Sequence, residues 1–284
     1  MNVTILLKLV SFSHVCLCIR SLLKEMESKM TKSLTFEEIF QENELSQKNF
    51  LHLIHHRNSP ENLISLRHTL FYLFIPTFNF QLRYAKKDKI NKFALAKRVT
   101  EMFFLFILFF SMIAYFVLPL IQESDSVFVS EVSIAMKISY FIRLSMACTL
   151  SWMIMFFAVF HGYCEAVSEF LGYSDRRFYL DWWNSLNFSQ YWRLWNLPIH
   201  TFFLCHVSNP LTSLGVNRHV VNTIIFVISA IFHEYVISLA LKQFCYWTMI
   251  TFSMQYFYIM FETCLLYTSP SPRDLSTSRM PSSA

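Results

Sequence analysis

Apolar and polar positions alternate in long blocks along the chain. The clearest apolar block is Met102 to Ile121, 20 residues without a charge, and it predicts a transmembrane helix. A second span is predicted over Leu144 to Phe160, extended back towards Ile138. A third runs from Val220 to Leu241, 22 residues whose only ionisable side chains are the adjacent His233 and Glu234. At 1.5 Å per residue that segment is ~33 Å long, enough to cross a hydrocarbon core of ~30 Å. Phe244 to Leu266 reads as a last apolar span, interrupted by Glu262.

Other blocks are shorter or polar. Residues 1–20 are apolar but contain Lys8, His14 and Arg20, so they read as the tail of a helix and a poor complete span. Residues 21–66 are polar and predict an exposed connector, with a helix start at Ser33-Leu-Thr-Phe-Glu-Glu. Thr69 to Phe80 is apolar but broken by Pro76, too short to span, which suggests an interfacial or re-entrant segment. The stretch from His161 to about His219 reads as one long loop. Residues 267–284 are rich in Ser and Pro and read as a disordered or non-native tail, leaving 1–266 as the folded core.

Charge orders these segments across a bilayer. Arg83 to Arg98 holds seven Lys/Arg and a single Asp88, whereas Glu123, Asp125 and Glu131 follow the Met102–Ile121 block. The basic run is therefore expected on the cytoplasmic side, and by parity the 161–219 loop returns there. The net charge of +5 is modest and clustered, which points to membrane topology and away from nucleic acid.

Composition then removes whole classes of chemistry. The chain has 31 phenylalanines but only three glycines, Gly162, Gly172 and Gly215. Glycines so far apart cannot write a phosphate-cradling loop or a serine-hydrolase elbow. The seven cysteines are scattered through apolar runs and read as small core residues. Cys205-His206 with His200 fits no usual metal spacing, and no metal is expected.

Two stretches carry candidate chemistry. An ionisable pair deep in a span, as at His233 and Glu234, is costly and suggests function, although a histidine satisfied by a neighbouring helix is the plainer reading. Ser229 and Ile237, four residues either side of His233, share its helix face, whereas Glu234 points about 100° away. The second stretch is Phe178-Tyr-Leu-Asp-Trp-Trp-Asn184, followed by Tyr191-Trp-Arg-Leu-Trp-Asn196; four of six tryptophans lie between 182 and 195. Such amphipathic aromatics suit a membrane interface, where an anchoring helix is the simplest role.

FYLDWWN in a polar loop, paired with SAIFHEY some fifty residues on, resembles the membrane-bound O-acyltransferase family. The chain is most similar to the branch holding acyl-CoA:diacylglycerol and sterol O-acyltransferases, and Ser59-Pro-Glu-Asn-Leu, Phe71-Tyr-Leu-Phe-Ile-Pro-Thr and Trp195-Asn-Leu-Pro-Ile-His look more like the diacylglycerol enzymes. The resemblance implies an all-α, multi-pass transmembrane helical bundle in the endoplasmic reticulum membrane. It implies transfer of a fatty acyl group from acyl-CoA to diacylglycerol, making triacylglycerol, with His233 as the catalytic residue. Phe178, Tyr179, Asp181, Trp182 and Trp183 are implied in acyl-CoA binding, and Asn184 in activity, donating to the thioester or to coenzyme A. Glu234 and Ser229 are expected as supporting residues around the histidine. No cofactor is implied, since acyl-CoA is a co-substrate; the bilayer, a lipid alcohol and further copies of the chain in a homo-oligomer are the expected partners. A sterol or long-chain alcohol acceptor is the alternative within the family, and a membrane transporter with a His-Glu proton relay the alternative outside it. Members of the family carry further helices at both ends, so the chain is expected to be incomplete, with Glu262 short of partners.

Acyl transfer from a thioester to an alcohol needs a base for the hydroxyl proton and donors for the developing oxyanion. With no serine elbow in the sequence, direct attack by the substrate hydroxyl, with His233 as base, is the economical route.

Overall fold

The computed structural model describes residues 3–30, 65–87, 89–129, 132–244 and 246–268. Among them the regular structure is helical, with one isolated antiparallel bridge between Lys86 and Tyr173 in the irregular connections. The helices are α1 (Val3–Met30), α2 (Leu66–Phe74), α3 (Lys92–Met112), α4 (Leu118–Val129), α5 (Ile134–Phe157), α6 (Cys164–Leu171), α7 (Phe188–Leu194), α8 (Leu197–Phe203), α9 (Asn209–Ser213), α10 (Arg218–Leu241) and α11 (Trp247–Thr268). Short π-helical turns at Ile113–Val117, Ala158–Tyr163 and Leu204–Ser208 join α3 to α4, α5 to α6 and α8 to α9 without a break.

Among the described residues four helical stretches are long and apolar enough to cross a membrane: Val3–Ser21, Lys92–Ser124, Ile134–Leu171 and Arg218–Leu241. Three of these contain the spans expected from the sequence. The fourth corrects it. The expected poor span near the N-terminus is helix α1, which continues through the polar residues to Met30, and its first 19 residues meet the length and hydropathy of a span. Part of the expected 21–66 connector is thus helix, while the helix start at Ser33 lies outside the described residues. Conversely, Phe244–Leu266 does form a helix as α11, yet α11 is not among the four. Gln255, Glu262, Ser253 and its threonines and tyrosines dilute the apolar character. The tail at 267–284 begins inside α11, whose last residues are Tyr267 and Thr268; from 269 onward it lies outside the described residues.

The expected 161–219 loop is also corrected. Helix α5 runs on through the π turn into α6 as far as Leu171, and most of the remainder is cut into short capped helices. Asn187 accepts from the N–H of Gln190 to start α7, and Asn196 from Ile199 to start α8, with Pro198 in its first turn. Aromatic residues and asparagine caps give this region helical turns in place of an open loop.

The chain divides into two compact units. One holds α2 and the chain from Gln81 to Tyr179. In it α3 and the π turn before α6 lie so close that a Cβ on Gly162 would stand 2.9 Å from Met102 Cβ and 3.1 Å from its Cα. Only glycine permits that approach. Gly172, at φ +67°, closes α6, and Tyr173 N–H returns to Ser168 O at 2.8 Å. Just before it, the buried Glu169 accepts from Lys87 Nζ at 3.2 Å, from Asn91 N–H at 2.8 Å and from Arg176. One carboxylate thereby holds the end of α6 against the start of α3.

The other unit holds α1, Phe78–Phe80 and the chain from Leu180 onward. Leu7, Phe202 and Phe203 form its apolar centre, with Ile199, Val207, Ile225, Ile228 and Phe232 packed around them. Ser11, fully buried on α1, accepts from Phe80 N–H at 2.8 Å. The His14 and His206 Nδ1 atoms meet at 2.7 Å, and the rings cross edge to face at 5.0 Å. Burial, and then the neighbouring His14, push the His206 imidazole down to about 4.

Candidate active site

Helix α10 separates its two central polar residues. Val221, Ala230, Glu234 and Ser238 are its buried residues, and the last three are four apart, so they line one face. His233, one position earlier, is rotated about 100° from Glu234 and is exposed. The polar pair read from the sequence therefore sits in two different environments.

The His233 Nδ1 lies 2.7 Å from the Ser229 carbonyl oxygen and 3.5 Å from Ser229 Oγ. A carbonyl oxygen only accepts, so Nδ1 is the donor of the shorter bond. In the neutral ring Nε2 then carries the lone pair. Phe252, on α11, packs its ring 4.5 Å from the imidazole with a 37° tilt. The ring is thus oriented from two sides, one polar and one aromatic.

Glu234 serves the adjoining helix. Its Oε1 accepts from Ser238 Oγ at 3.0 Å and from Tyr246 N–H at 2.9 Å, and its Oε2 from Thr248 N–H at 3.3 Å. These amides belong to the start of α11, whose first N–H groups have no intrahelical acceptors. A carboxylate there is stabilising both as a hydrogen-bond acceptor and against the helix dipole. Glu234 thereby fixes α11, and α11 carries Phe252 to His233. The sequence casts Glu234 as a supporting residue; the contacts described for it run to Ser238, Tyr246 and Thr248.

The FYLDWWN stretch straddles the two units. Phe178 is buried and Tyr179 half-buried in the unit that ends with them. Tyr179 packs on Phe156 at 5.1 Å, and its hydroxyl reaches His161 Nδ1 at 3.4 Å. His161 Nε2 in turn accepts from Arg98, which also pairs with Glu101 at 2.8 Å. Asp181 and the 3-10 turn Trp182–Asn184 belong to the other unit. The turn is closed by Asn184 N–H on Asp181 O at 3.1 Å and Ser185 N–H on Trp182 O at 3.2 Å. Asp181, Trp183 and Asn184 are exposed, and among the described residues Asn184 and His233 share no hydrogen bond.

What joins this turn to His233 is a run of rings. Trp183 meets Trp182 at 5.6 Å, Trp182 meets Tyr191 at 5.8 Å, and Tyr191 meets Trp192 at 5.6 Å. Trp192 then meets Phe252 at 5.6 Å, and Phe252 reaches His233. Tyr191 and Trp192 are on α7 and Phe252 on α11; sequence reasoning noted the tryptophans but assigned none of these three a role. The one signal for Tyr191 and Trp192 is the aromatic density at 191–195; Phe252 carries none. Glu262 is another correction: its Oε2 accepts from Phe188 N–H at 3.0 Å, at the start of α7, so it is not short of a partner.

The family model described as the membrane-bound O-acyltransferase family matches residues 2–268 of the chain. Among curated proteins, diacylglycerol O-acyltransferase 1 of Bos taurus is 34% identical over 188 residues, 66% of this chain and 38% of the relative. The Homo sapiens protein of the same name matches with the same identity and coverage. Diacylglycerol O-acyltransferase 1-2 of Oryza sativa subsp. japonica is 26% identical over 270 residues, 94% of this chain and 50% of the relative. The chain thus spans between 38% and 50% of the length of these relatives. With a family match over nearly its whole length, an all-helical architecture and four helices fit to cross a bilayer, the chain belongs to the membrane-bound O-acyltransferase family.

Proposed function

We propose that the protein takes part in transfer of a fatty acyl group from acyl-CoA to diacylglycerol, with His233 as general base. The observation that carries the reading is the His233–Ser229 contact, which leaves Nε2 as the free basic nitrogen in the middle of a candidate span. In the step, Nε2 takes the proton of the acceptor hydroxyl while the oxygen attacks the thioester carbonyl. The C–S bond then breaks, and the imidazolium returns the proton to the departing thiolate, releasing coenzyme A. The relatives named diacylglycerol O-acyltransferase favour diacylglycerol over a sterol as acceptor.

The exposed Trp183 and Asn184 are the proposed contact with acyl-CoA. Coenzyme A is polyanionic and water-soluble, so it approaches from an aqueous face, while diacylglycerol reaches an uncovered span from the bilayer. Lys92, at the start of one span, lies in the basic run and supports a cytoplasmic position for that end. An endoplasmic reticulum membrane suits both substrates, and a homo-oligomer remains the proposed assembly.

The test is His233→Gln in the full-length protein, assayed in microsomes with labelled acyl-CoA and a panel of acceptor alcohols. Glutamine keeps a polar side chain but cannot take the proton, so turnover should fall ~10²–10⁴-fold with expression and insertion retained. Glutamine at near-normal activity would return His233 to a packing role.

A further inference from the structure

Helix α2 is nine residues long, about 13.5 Å, and cannot cross a hydrocarbon core of ~30 Å. Its side chains divide cleanly between two faces. At 100° per residue Leu66, Leu70, Leu73 and Phe74 share an arc of about 100°. All four are exposed, Leu66 at 77% and Phe74 at 68%. The opposite face is packed within its own unit. His68 Nε2 lies 2.7 Å from Gln81 O, and its ring stacks on Tyr84 at 5.1 Å. Tyr72 is 1% exposed. The helix is thus held down by one face, while among the described residues a continuous apolar stripe is exposed on the other.

Basic residues flank that stripe. Residues 65–98 contain eight Lys/Arg and one acidic residue, Asp88. Arg67, Arg83, Lys86, Lys89 and Lys92 are all exposed. Lys86 Nζ sits 4.0 Å over the Phe71 ring, which fixes the basic segment beside α2. Ile90 and Phe93, 49% and 80% exposed, add apolar side chains among the lysines. Apolar stripe and cationic margin together are the two attractions by which a helix lies in the plane of a charged interface.

We infer that α2 and the basic segment Arg83–Lys92 dock on the anionic headgroup layer of the bilayer, the stripe entering the acyl boundary and the cations meeting lipid phosphates and carboxylates. The inference rests on membership of a membrane-bound family and not on the proposed reaction. An aqueous anion would account for the lysines but not for the bare leucines. A protein partner would not require the one-signed margin.

Hydrogen–deuterium exchange on the full-length protein in lipid nanodiscs tests it. Amides of α2 should exchange more slowly with 30 mol% phosphatidylserine than in pure phosphatidylcholine, and 0.5 M salt should remove the difference. The variant Arg83→Gln/Lys86→Gln/Lys89→Gln should show the phosphatidylcholine rate in both lipids. Three cations at an anionic surface multiply a docking equilibrium on the order of 100-fold, well above the resolution of exchange. Amides of α3 serve as the internal control for folding. Equal protection of α2 in both lipids, or a lipid difference that persists at high salt in the unsubstituted protein, would overturn the inference.

Discussion

The Nδ1 atom of His233 stands 2.7 Å from the backbone carbonyl of Ser229, one helical turn earlier. The orienting acceptor is therefore main chain, and the serine hydroxyl at 3.5 Å is secondary. Replacing the hydroxyl leaves the carbonyl where it is. Ser229→Ala should then cost at most about fivefold in turnover, the worth of one modest hydrogen bond. A loss by Ser229→Ala as deep as that of His233→Gln would show that the hydroxyl, not the carbonyl, holds the ring.

Glu234 links α10 to the start of α11 through the N–H groups of Tyr246 and Thr248. Tyr246 takes a positive φ of 58° there, a conformation that costs a non-glycine residue and needs to be held. Glu234→Ala leaves two amides without this acceptor, about 1–3 kcal/mol for each unsatisfied group. The expected readout is a lowered melting temperature in detergent, with Glu234→Gln intermediate because one oxygen remains. Activity lost in Glu234→Ala at an unchanged melting temperature would instead place the carboxylate in the chemistry.

Gly162 lets the turn after α5 reach α3, and any Cβ there would stand 2.9 Å from Met102 Cβ. Neither side can yield by a simple rotamer change, since both atoms are fixed to the backbone. Gly162→Ala should destabilise by about 1–3 kcal/mol, the usual range for overpacking. A thermal melt unaltered by Gly162→Ala would mean that the two helices separate freely.

His206 predicts a pH dependence. Its native value of about 4 lies below the ordinary 6.5, through burial and then the neighbouring His14. The unfolded chain therefore binds the proton more readily, and acid favours unfolding. The contribution is whole above pH 6.5 and is lost as pH falls towards 4. Melting temperature should drop across that window, and His206→Asn, which keeps a short polar group towards His14 without titrating, should flatten the slope. An identical slope in His206→Asn would assign the acid sensitivity elsewhere.

Local pattern carried much of the fold. Met102–Ile121 and Val220–Leu241 lie inside helices Lys92–Ser124 and Arg218–Leu241, because twenty apolar residues in a row have few other stable forms in a bilayer. The ends were less legible. Helix α3 begins ten residues before Met102, at an asparagine cap inside the basic run, where hydropathy is silent. The 161–219 stretch read as loop because its helices are seven residues or so and are stabilised by caps and ring contacts.

The sequence by itself determined the membrane class, three of the four candidate spans, the FYLDWWN and FHEY stretches, and the helix face that His233 shares with Ser229. All of these depend on spacing within one element. Only the tertiary structure decided that Glu234 grips the amides of Tyr246 and Thr248, and that Phe252 and Trp192 lead from the Trp182–Asn184 turn to His233. It alone paired His14 with His206, 192 positions apart. Such contacts depend on how helices rotate and dock against one another, and a helix's own 3.6-residue period says which residues share a face but not what that face will meet.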